Sequence, residues 1–118
     1  MPDHVHITVE TAGDVIFITF RERKLETAAE IETECQTAIE EAGLNCVALD
    51  FTNALFMTSE LFGVILRLNR KVLDLSKQAH KLCLCHVPDA IMDGFKVLNL
   101  VNVVTILENR EAVLKFFK

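Results

Sequence analysis

One stretch, residues 46–68, constrains the fold of this chain more than any other. It opens with Cys46–Phe51, an apolar run interrupted only by Asp50 and bounded by turn-forming residues. Such a short apolar run is typical of a strand buried on both faces of a sheet. After an apolar connector, residues 54–57, the spacing of apolar residues from Leu61 onward becomes helical. The stretch therefore predicts a buried strand that leads directly into a helix.

Thr58-Ser59-Glu60 marks the start of that helix, because hydroxyl residues followed by an acid are a helix N-terminus signal. Free backbone N–H groups at a helix start favour negative charge. We therefore expect Ser59 to be exposed there and well placed to carry a phosphate. The plainer interpretation is that Ser59 only caps the helix, which contributes about 1 kcal/mol.

The rest of the chain alternates between strand and helix patterns. Apolar alternation predicts an opening hairpin whose first strand is wet on one face. Thr27-x-x-Glu30 matches a capping box, and Gly43 matches a helix stop. The predicted segments are strands at residues 5–9, Val15–Phe20, Cys46–Phe51, Leu82–Val87 and Val103–Leu107, and helices from Thr27 to Gly43, from about Glu60 to Lys77, after Pro88 and from Arg110 to Phe117.

This order of elements predicts the fold class. Strands separated by single helices must run parallel, with right-handed crossovers, whereas the opening hairpin adds an antiparallel partner. We therefore expect an α/β domain of order β-β-α-β-α-β-α-β-α, with a mixed, mostly parallel sheet packed by helices.

Length and composition exclude several classes of protein. With 118 residues the chain can bury one core, so residues 1–118 are expected to form a single domain. The net charge of −5 argues against nucleic acid. No apolar run reaches the roughly 18 residues of a membrane span, and Asp3 and His4 stand where a signal peptide is basic. Four cysteines beside an adequate core do not suggest a disulfide framework, and we expect a cytoplasmic protein.

Residues 49–72, LDFTNALFMTSELFGVILRLNRKV, resemble the core of the STAS domain, the fold of bacterial anti-sigma factor antagonists. Members of that family have a strand ending Leu-Asp-Leu-Ser, an apolar connector, and Asp-Ser-Ser-Gly-Leu-Gly at the start of a helix. Residues 49–52 match the strand end, Ser59 falls on the family's phosphorylated serine, and Gly63 falls on its last glycine. Thr58 replaces the usual Asp, and residues 60–61, Glu-Leu, replace Ser-Gly.

The resemblance implies a regulatory role in transcription signalling. Such proteins are not enzymes: they bind an anti-sigma factor, often itself a serine kinase, and so release a sigma factor. Phosphorylation of the serine, here Ser59, ends the binding. No cofactor is expected in this chain, since ATP would belong to the partner. The expected partner-binding residues are Asp50, Thr58, Ser59, Glu60 and Phe62.

A phosphate on Ser59 would bring nearly two negative charges. The helix start tolerates those charges, whereas a docked partner with an apolar or acidic surface rejects them, so binding is switched without a conformational change. Thr58 is the second choice of acceptor, because its β-branched side chain can turn inward. Glu60 places a permanent negative charge beside Ser59.

Two other functions stay open on the sequence. The first is a STAS scaffold or subunit, of a stress-signalling complex or a transporter, without a rapid phosphorylation switch. The second is a small-ligand or redox protein that uses the Cys83 and Cys85 strand. Zinc at Cys83-x-Cys85-His86 is not expected, because neighbouring strand residues face opposite sides. His4-x-His6 is interpreted as a solvated strand face, and neither a phosphate-binding loop nor a catalytic motif is present.

Overall fold

Seven strands and four helices form the part of the chain that the structure describes, residues 4–117 of a computed structural model. Asp3 lies outside those residues. Within them, no helix is long and apolar enough to cross a bilayer. The elements are β1 Ile7–Ala12, β2 Val15–Phe20, β3 Lys24–Leu25, α1 Ala28–Ala42, β4 Cys46–Asp50, β5 Phe56–Met57, α2 Ser59–Leu75, β6 Cys83–Cys85, α3 Asp89–Val97, β7 Thr105–Ile106 and α4 Arg110–Phe116.

The main sheet has the strand order β1-β2-β4-β6-β7. β1 and β2 form the antiparallel hairpin, with Ile7 opposite Phe20. β2, β4, β6 and β7 pair in parallel, each joined to the next by one helix. The predicted fold class and the parallel pairing are therefore confirmed. β6 and β7 are shorter than predicted, because only three and two residues of those apolar runs pair with neighbours.

Helices cover the two faces of the sheet unequally. The larger core lies between one face and α1, α2 and α3, and it includes Val47 and Leu49 of β4. The smaller core lies on the other face beneath α4, where Cys83 and Cys85 pack with Val113. Alternate residues of one strand lie on opposite faces, so β2, β4 and β6 carry mainly apolar side chains on both faces.

A second, two-stranded sheet was not predicted from the sequence. β3 pairs with β5 in parallel, in segments that read as connectors. Two residues cannot show a periodic pattern, so only tertiary contact identifies them. Leu55 donates its N–H to Arg23 O over 2.7 Å, and Thr58 donates to Leu25 O over 3.0 Å. These hydrogen bonds fix the segment that immediately precedes α2 against the segment that contains β3.

The helices end close to the positions that the sequence predicted, but the predicted capping hydrogen bonds form only in part. Asn109 caps α4: its side-chain oxygen accepts the N–H of Ala112 at 2.9 Å. The prediction of a capping box at the start of α1 is wrong. The Thr27 side chain makes no cap hydrogen bond, and its Oγ1 is buried without a partner among the described residues. Glu30 instead bonds His6. A contact from 24 residues away has replaced the local one.

Candidate functional site

The start of α2 exposes one hydroxyl and buries another. Thr58 is the N-cap residue, with extended backbone, and its carbonyl accepts the N–H of Leu61 at 3.0 Å. Its Oγ1 is buried and finds no hydrogen-bond partner in residues 4–117. Ser59, the first helical residue, is exposed, as is Glu60. The accessible hydroxyl at this helix start is therefore that of Ser59.

Ser59 stands on a ridge between two grooves. On one side is the polar groove between α1 and α2, about 340 Å³, lined by Ala28, Ala29, Glu32, Ser59, Glu60, Gly63 and Arg67. On the other side is the apolar groove between α2, β5 and α3, about 330 Å³, lined by Phe56, Met57, Ser59, Phe62, Ala90, Ile91 and Gly94. A group added to Ser59 would therefore alter the entrance of both.

The apolar groove has a fixed floor and an exposed rim. Phe62 is only 9% exposed and packs edge-on against Phe95, with ring centroids 4.9 Å apart. Phe56 is 60% exposed and Leu55 38% exposed, although both are large and apolar. Phe62 thus forms the floor, and Phe56 is the main side chain available to a partner. The sequence predicted only an apolar connector at residues 54–57 and did not indicate which of its side chains are exposed.

The polar groove is crossed by an ion pair between helices. Arg67 donates from Nε and Nη2 to the two carboxylate oxygens of Glu32, each over 2.8 Å. These hydrogen bonds lower the pKa of the Glu32 carboxyl. One helical turn further on, Lys71 bonds Glu40. Two acidic side chains of α1 are thus paired with basic side chains of α2.

Asp50 lies elsewhere, at the end of β4 on the α4 side of the sheet. It is 2% exposed. Its carboxylate accepts from Thr52 N at 2.9 Å and from Arg110 Nε at 2.7 Å. Burial acts to raise the pKa of Asp50, but the hydrogen bonds from Thr52 and Arg110 outweigh it, and the pKa is lowered. The side chain of Asp50 is thus engaged inside the fold, and its contact with a partner stays a prediction.

One group of possible metal ligands was missed by the sequence analysis. Ligand atoms of Asp50, Cys85 and His86 all lie within 4.8 Å of one another. His86 reaches this place because its backbone is left-handed, with φ of 53°, which breaks the alternation of the strand. The Asp50 carboxylate, however, already binds the guanidinium cation of Arg110. Burial also raises the pKa of Cys85 to about 12, which disfavours the thiolate that metals bind.

Cys83 and Cys85 form no disulfide and are fully buried. Burial raises the pKa of Cys83 to about 12 as well. Thiol redox chemistry proceeds through an accessible thiolate, and neither condition is met at these positions. The structure therefore gives no support to a redox site on β6.

The interpretation of His6 as part of a solvated strand face is wrong. His6 is 9% exposed. Its Nδ1 bonds Glu22, its Nε2 lies 2.8 Å from Glu30, and its backbone N–H donates to Glu34 at 3.0 Å. The hydrogen bond with Glu22, assisted by Glu30, raises the pKa of His6 despite its burial. Nothing in the local pattern points to these three carboxylates, because they come from other segments.

Comparison of the sequence with family models and with curated proteins gives no match. Comparison of the structure with solved structures gives clear similarities. A proposed anti-sigma factor antagonist of Thermotoga maritima, TM1081, is 17% identical with a TM-score of 0.77, over 96% of this chain and 95% of that one. An anti-sigma factor antagonist (STAS) domain protein of Planctomyces limnophilus is 20% identical with a TM-score of 0.72, over 92% and 95%.

SpoIIAA, a Bacillus cell-fate determinant whose structure is known in its phosphorylated form, is 18% identical with a TM-score of 0.66, over 93% of this chain and 98% of that one. At such identities the similarity establishes the fold alone. The chain therefore has the STAS fold of anti-sigma factor antagonists, as its sequence predicted.

Proposed function

We propose that this chain is a non-enzymatic regulatory protein that binds an anti-sigma factor, itself a serine kinase, and that phosphorylation of Ser59 ends the binding. The protein would act in the cytoplasm, as part of a signalling pathway that controls transcription. Any nucleotide would be held by the partner, so no cofactor is required in this chain.

The observation that best supports the proposal is the position of Ser59 itself. It is exposed at the first residue of α2, on the ridge between the two grooves, while the neighbouring hydroxyl of Thr58 is buried. A kinase needs an accessible hydroxyl, and a switch needs that hydroxyl inside the interface that it controls. Ser59 meets the first condition, and its position between the two grooves supports the second. The fold shared with SpoIIAA, a protein known in phosphorylated form, adds to this support.

The contact surface follows from the exposed side chains around Ser59. Glu60 lies beside it and Phe56 stands at the rim of the apolar groove. Phe62 is 9% exposed and Thr58 is partly buried, so each offers a partner only a small surface. We therefore propose that a partner inserts an apolar side chain beside Phe56 and covers Ser59.

Phosphorylation would oppose this contact through charge. A phosphoserine brings nearly two negative charges and three strong acceptor oxygens. Burying them beneath an apolar partner surface removes their hydration without supplying new bonds, which is costly. The domain itself tolerates them at the positive end of the α2 dipole. The change therefore weakens binding without unfolding the protein.

The test begins with partner capture from the host, followed by binding titration of variants. Ser59→Asp is expected to weaken binding about tenfold to a hundredfold, which corresponds to about 1–3 kcal/mol. Ser59→Ala is expected to bind normally and to lose its response to the kinase. Neither change should lower the melting temperature appreciably, because no side-chain cap bond exists at this helix start.

Asn102→Asp provides a matched control for the added charge. Asn102 is exposed in the loop that precedes β7. Because β4 and β7 run in parallel, this loop lies at the amino ends of the strands, whereas α2 starts beyond their carboxyl ends. The Asn102→Asp variant should bind like the wild type. If Ser59→Asp also binds like the wild type, the switch does not lie at Ser59, and the constitutive scaffold becomes the better interpretation.

A further inference from the structure

The side chain of Arg67 lies back along α2 towards Ser59. Helical side chains lean towards the N-terminus of their helix, and Gly63, one turn earlier, leaves room for the guanidinium. A Cβ atom at residue 63 would lie 3.4 Å from Arg67 Nη1. Nε and Nη2 both point to Glu32. The third nitrogen, Nη1, is thus the one placed over the helix surface.

Ser59 lies one helical turn before Gly63, on the same face of α2. Ser59 and Gly63 are four residues apart in α2, so their Cβ positions are about 5–6 Å apart. Nη1 lies over the second of these positions, and a phosphate on Ser59 would extend outward from the first. Ser59, Gly63, Glu32 and Arg67 all line the polar groove. The cation and the hydroxyl are therefore one helical turn apart in one groove.

The charges of this groove would otherwise disfavour a phosphate. Two carboxylates line it, Glu32 from α1 and Glu60 from α2, against one cation, Arg67. A guanidinium has five N–H donors, of which a bidentate carboxylate uses two. Three donors are left for phosphate oxygens, and Glu32 fixes the plane of the group. Arg67 is thus prepared to bind a second anion without leaving the first.

We propose that Arg67 binds the phosphate of phosphorylated Ser59 within the same chain, with Glu32 orienting its guanidinium. This rests on the proposed phosphorylation of Ser59. In that step the Ser59 Oγ–phosphorus bond forms as the bond from the γ-phosphorus to the β–γ bridging oxygen of a nucleoside triphosphate breaks. The nucleoside diphosphate leaves, and the hydroxyl proton passes to a base of the kinase.

The consequence is a phosphorylated state of defined geometry. The phosphate is drawn over Gly63, towards the polar groove and away from free solvent. The ridge between the two grooves is then occupied by an ordered anion rather than by a mobile one. The buried hydroxyl of Thr58 lies outside this arrangement, which makes Ser59 the acceptor that Arg67 serves.

The test uses the full chain with phosphoserine incorporated at residue 59 during synthesis, so that no kinase is needed. Phosphorus NMR titration measures the second pKa of the phosphate. A cation within hydrogen-bond reach favours the dianion, so this pKa should be about one unit lower with Arg67 than in Arg67→Gln. Arg67→Lys should retain part of the shift, because it keeps the charge and loses the planar fork.

Arg70→Gln is the matched control, since Arg70 lies on the same helix and pairs with Asp74 instead. Its titration should coincide with that of the unmutated phosphoprotein. Coincident titrations with and without Arg67 would overturn the inference. Melting of the unphosphorylated variants shows that each is folded, which is expected because the Arg67 side chain is 59% exposed.

The titration contains no partner, so its failure is distinct from failure of the proposed function. A phosphate held by Arg67 that leaves partner binding unchanged would overturn the proposed function and support this inference. A phosphate that blocks the partner but titrates independently of Arg67 would do the reverse.

Discussion

At the scale of single residues, the pair formed by Asp50 and Arg110 connects the end of the central strand to α4. Asp50 is buried, whereas the Arg110 side chain is 33% exposed and also reaches Glu10 at 3.2 Å and the Phe17 ring at 4.7 Å from its centroid. A buried carboxylate that loses its partner retains its full desolvation cost. Asp50 thus depends on Arg110 more than Arg110 depends on any one contact.

Arg110→Met is therefore expected to lower the free energy of unfolding by about 2–3 kcal/mol at neutral pH. The measurement is denaturant unfolding. Without Arg110, burial should raise the pKa of Asp50, so the residue becomes protonated as the pH falls and the charge disappears. The deficit should accordingly shrink in acid, whereas in the wild type the stability contributed by Asp50, with its lowered pKa, is lost as the pH falls through that pKa.

Glu10→Gln is the control, since Glu10 is the exposed partner of the same guanidinium. Exposed ion pairs contribute little, so this change should cost less than about 1 kcal/mol. An equal loss in the two variants would mean that burial of Asp50 is not the cause.

At the scale of elements, the contact between α2 and α3 depends on Gly94. A Cβ atom there would overlap the Phe62 ring, at Cζ and also 3.1 Å from Cε1. The ring cannot move freely, because it packs against Phe95. Gly94→Ala is expected to destabilise the protein by about 1–2 kcal/mol, since the overpacking exceeds the gain in helix propensity. Thermal and denaturant unfolding measure this change.

Gly63→Ala is the matched control in the other helix. A Cβ there would meet only the flexible end of Arg67, at an ordinary contact distance, so this variant should be slightly stabilised, by up to about 1 kcal/mol. Phe62→Leu combined with Gly94→Ala should recover part of the loss. No coupling between these two substitutions would show that the clash with Phe62 is not responsible.

The sequence predicted where helices and strands lie better than it predicted the burial and hydrogen bonding of the residues at their ends. The start of α2 follows from Thr58-Ser59-Glu60, but the burial of the Thr58 hydroxyl does not, because it depends on the β3–β5 pair that holds the preceding connector. The exposure of Phe56 has the same origin. Local patterns encode the period of a helix or strand, whereas they do not encode which side chain a neighbouring segment will cover.

At the scale of the whole molecule, the topology was predictable because single helices between apolar runs allow few parallel arrangements. The contacts between charged side chains could not be predicted in this way. Glu30 was predicted to belong to a capping box, yet it binds His6, and Glu32 and Glu34 bind Arg67 and the His6 backbone. Such pairs join distant segments, and a single sequence contains no signal that specifies them.

The His6 contacts join the N-terminal segment, the loop after β2 and α1 through one imidazole. The pKa of His6 is raised above its ordinary value of 6.5, chiefly by the bond to Glu22. A raised folded-state pKa gives stability that is fully present below about 6.5 and is lost as the pH rises through the folded value. Melting temperature should accordingly fall with increasing pH across this window, and Glu22, Glu30 and Glu34 should repel one another once the imidazole is neutral.

His6→Gln and Glu22→Gln should each flatten that dependence, because one removes the titrating group and the other the main cause of its shift. Glu26→Gln is the control: Glu26 lies near the same loop and faces Lys24 at 3.6 Å, so it should leave the slope intact. The measurement is melting followed by circular dichroism at closely spaced pH values. A wild-type slope that survives in His6→Gln would assign the titration to another group, whereas its loss there and its retention in Glu26→Gln would assign to His6 the pH sensitivity of the whole fold.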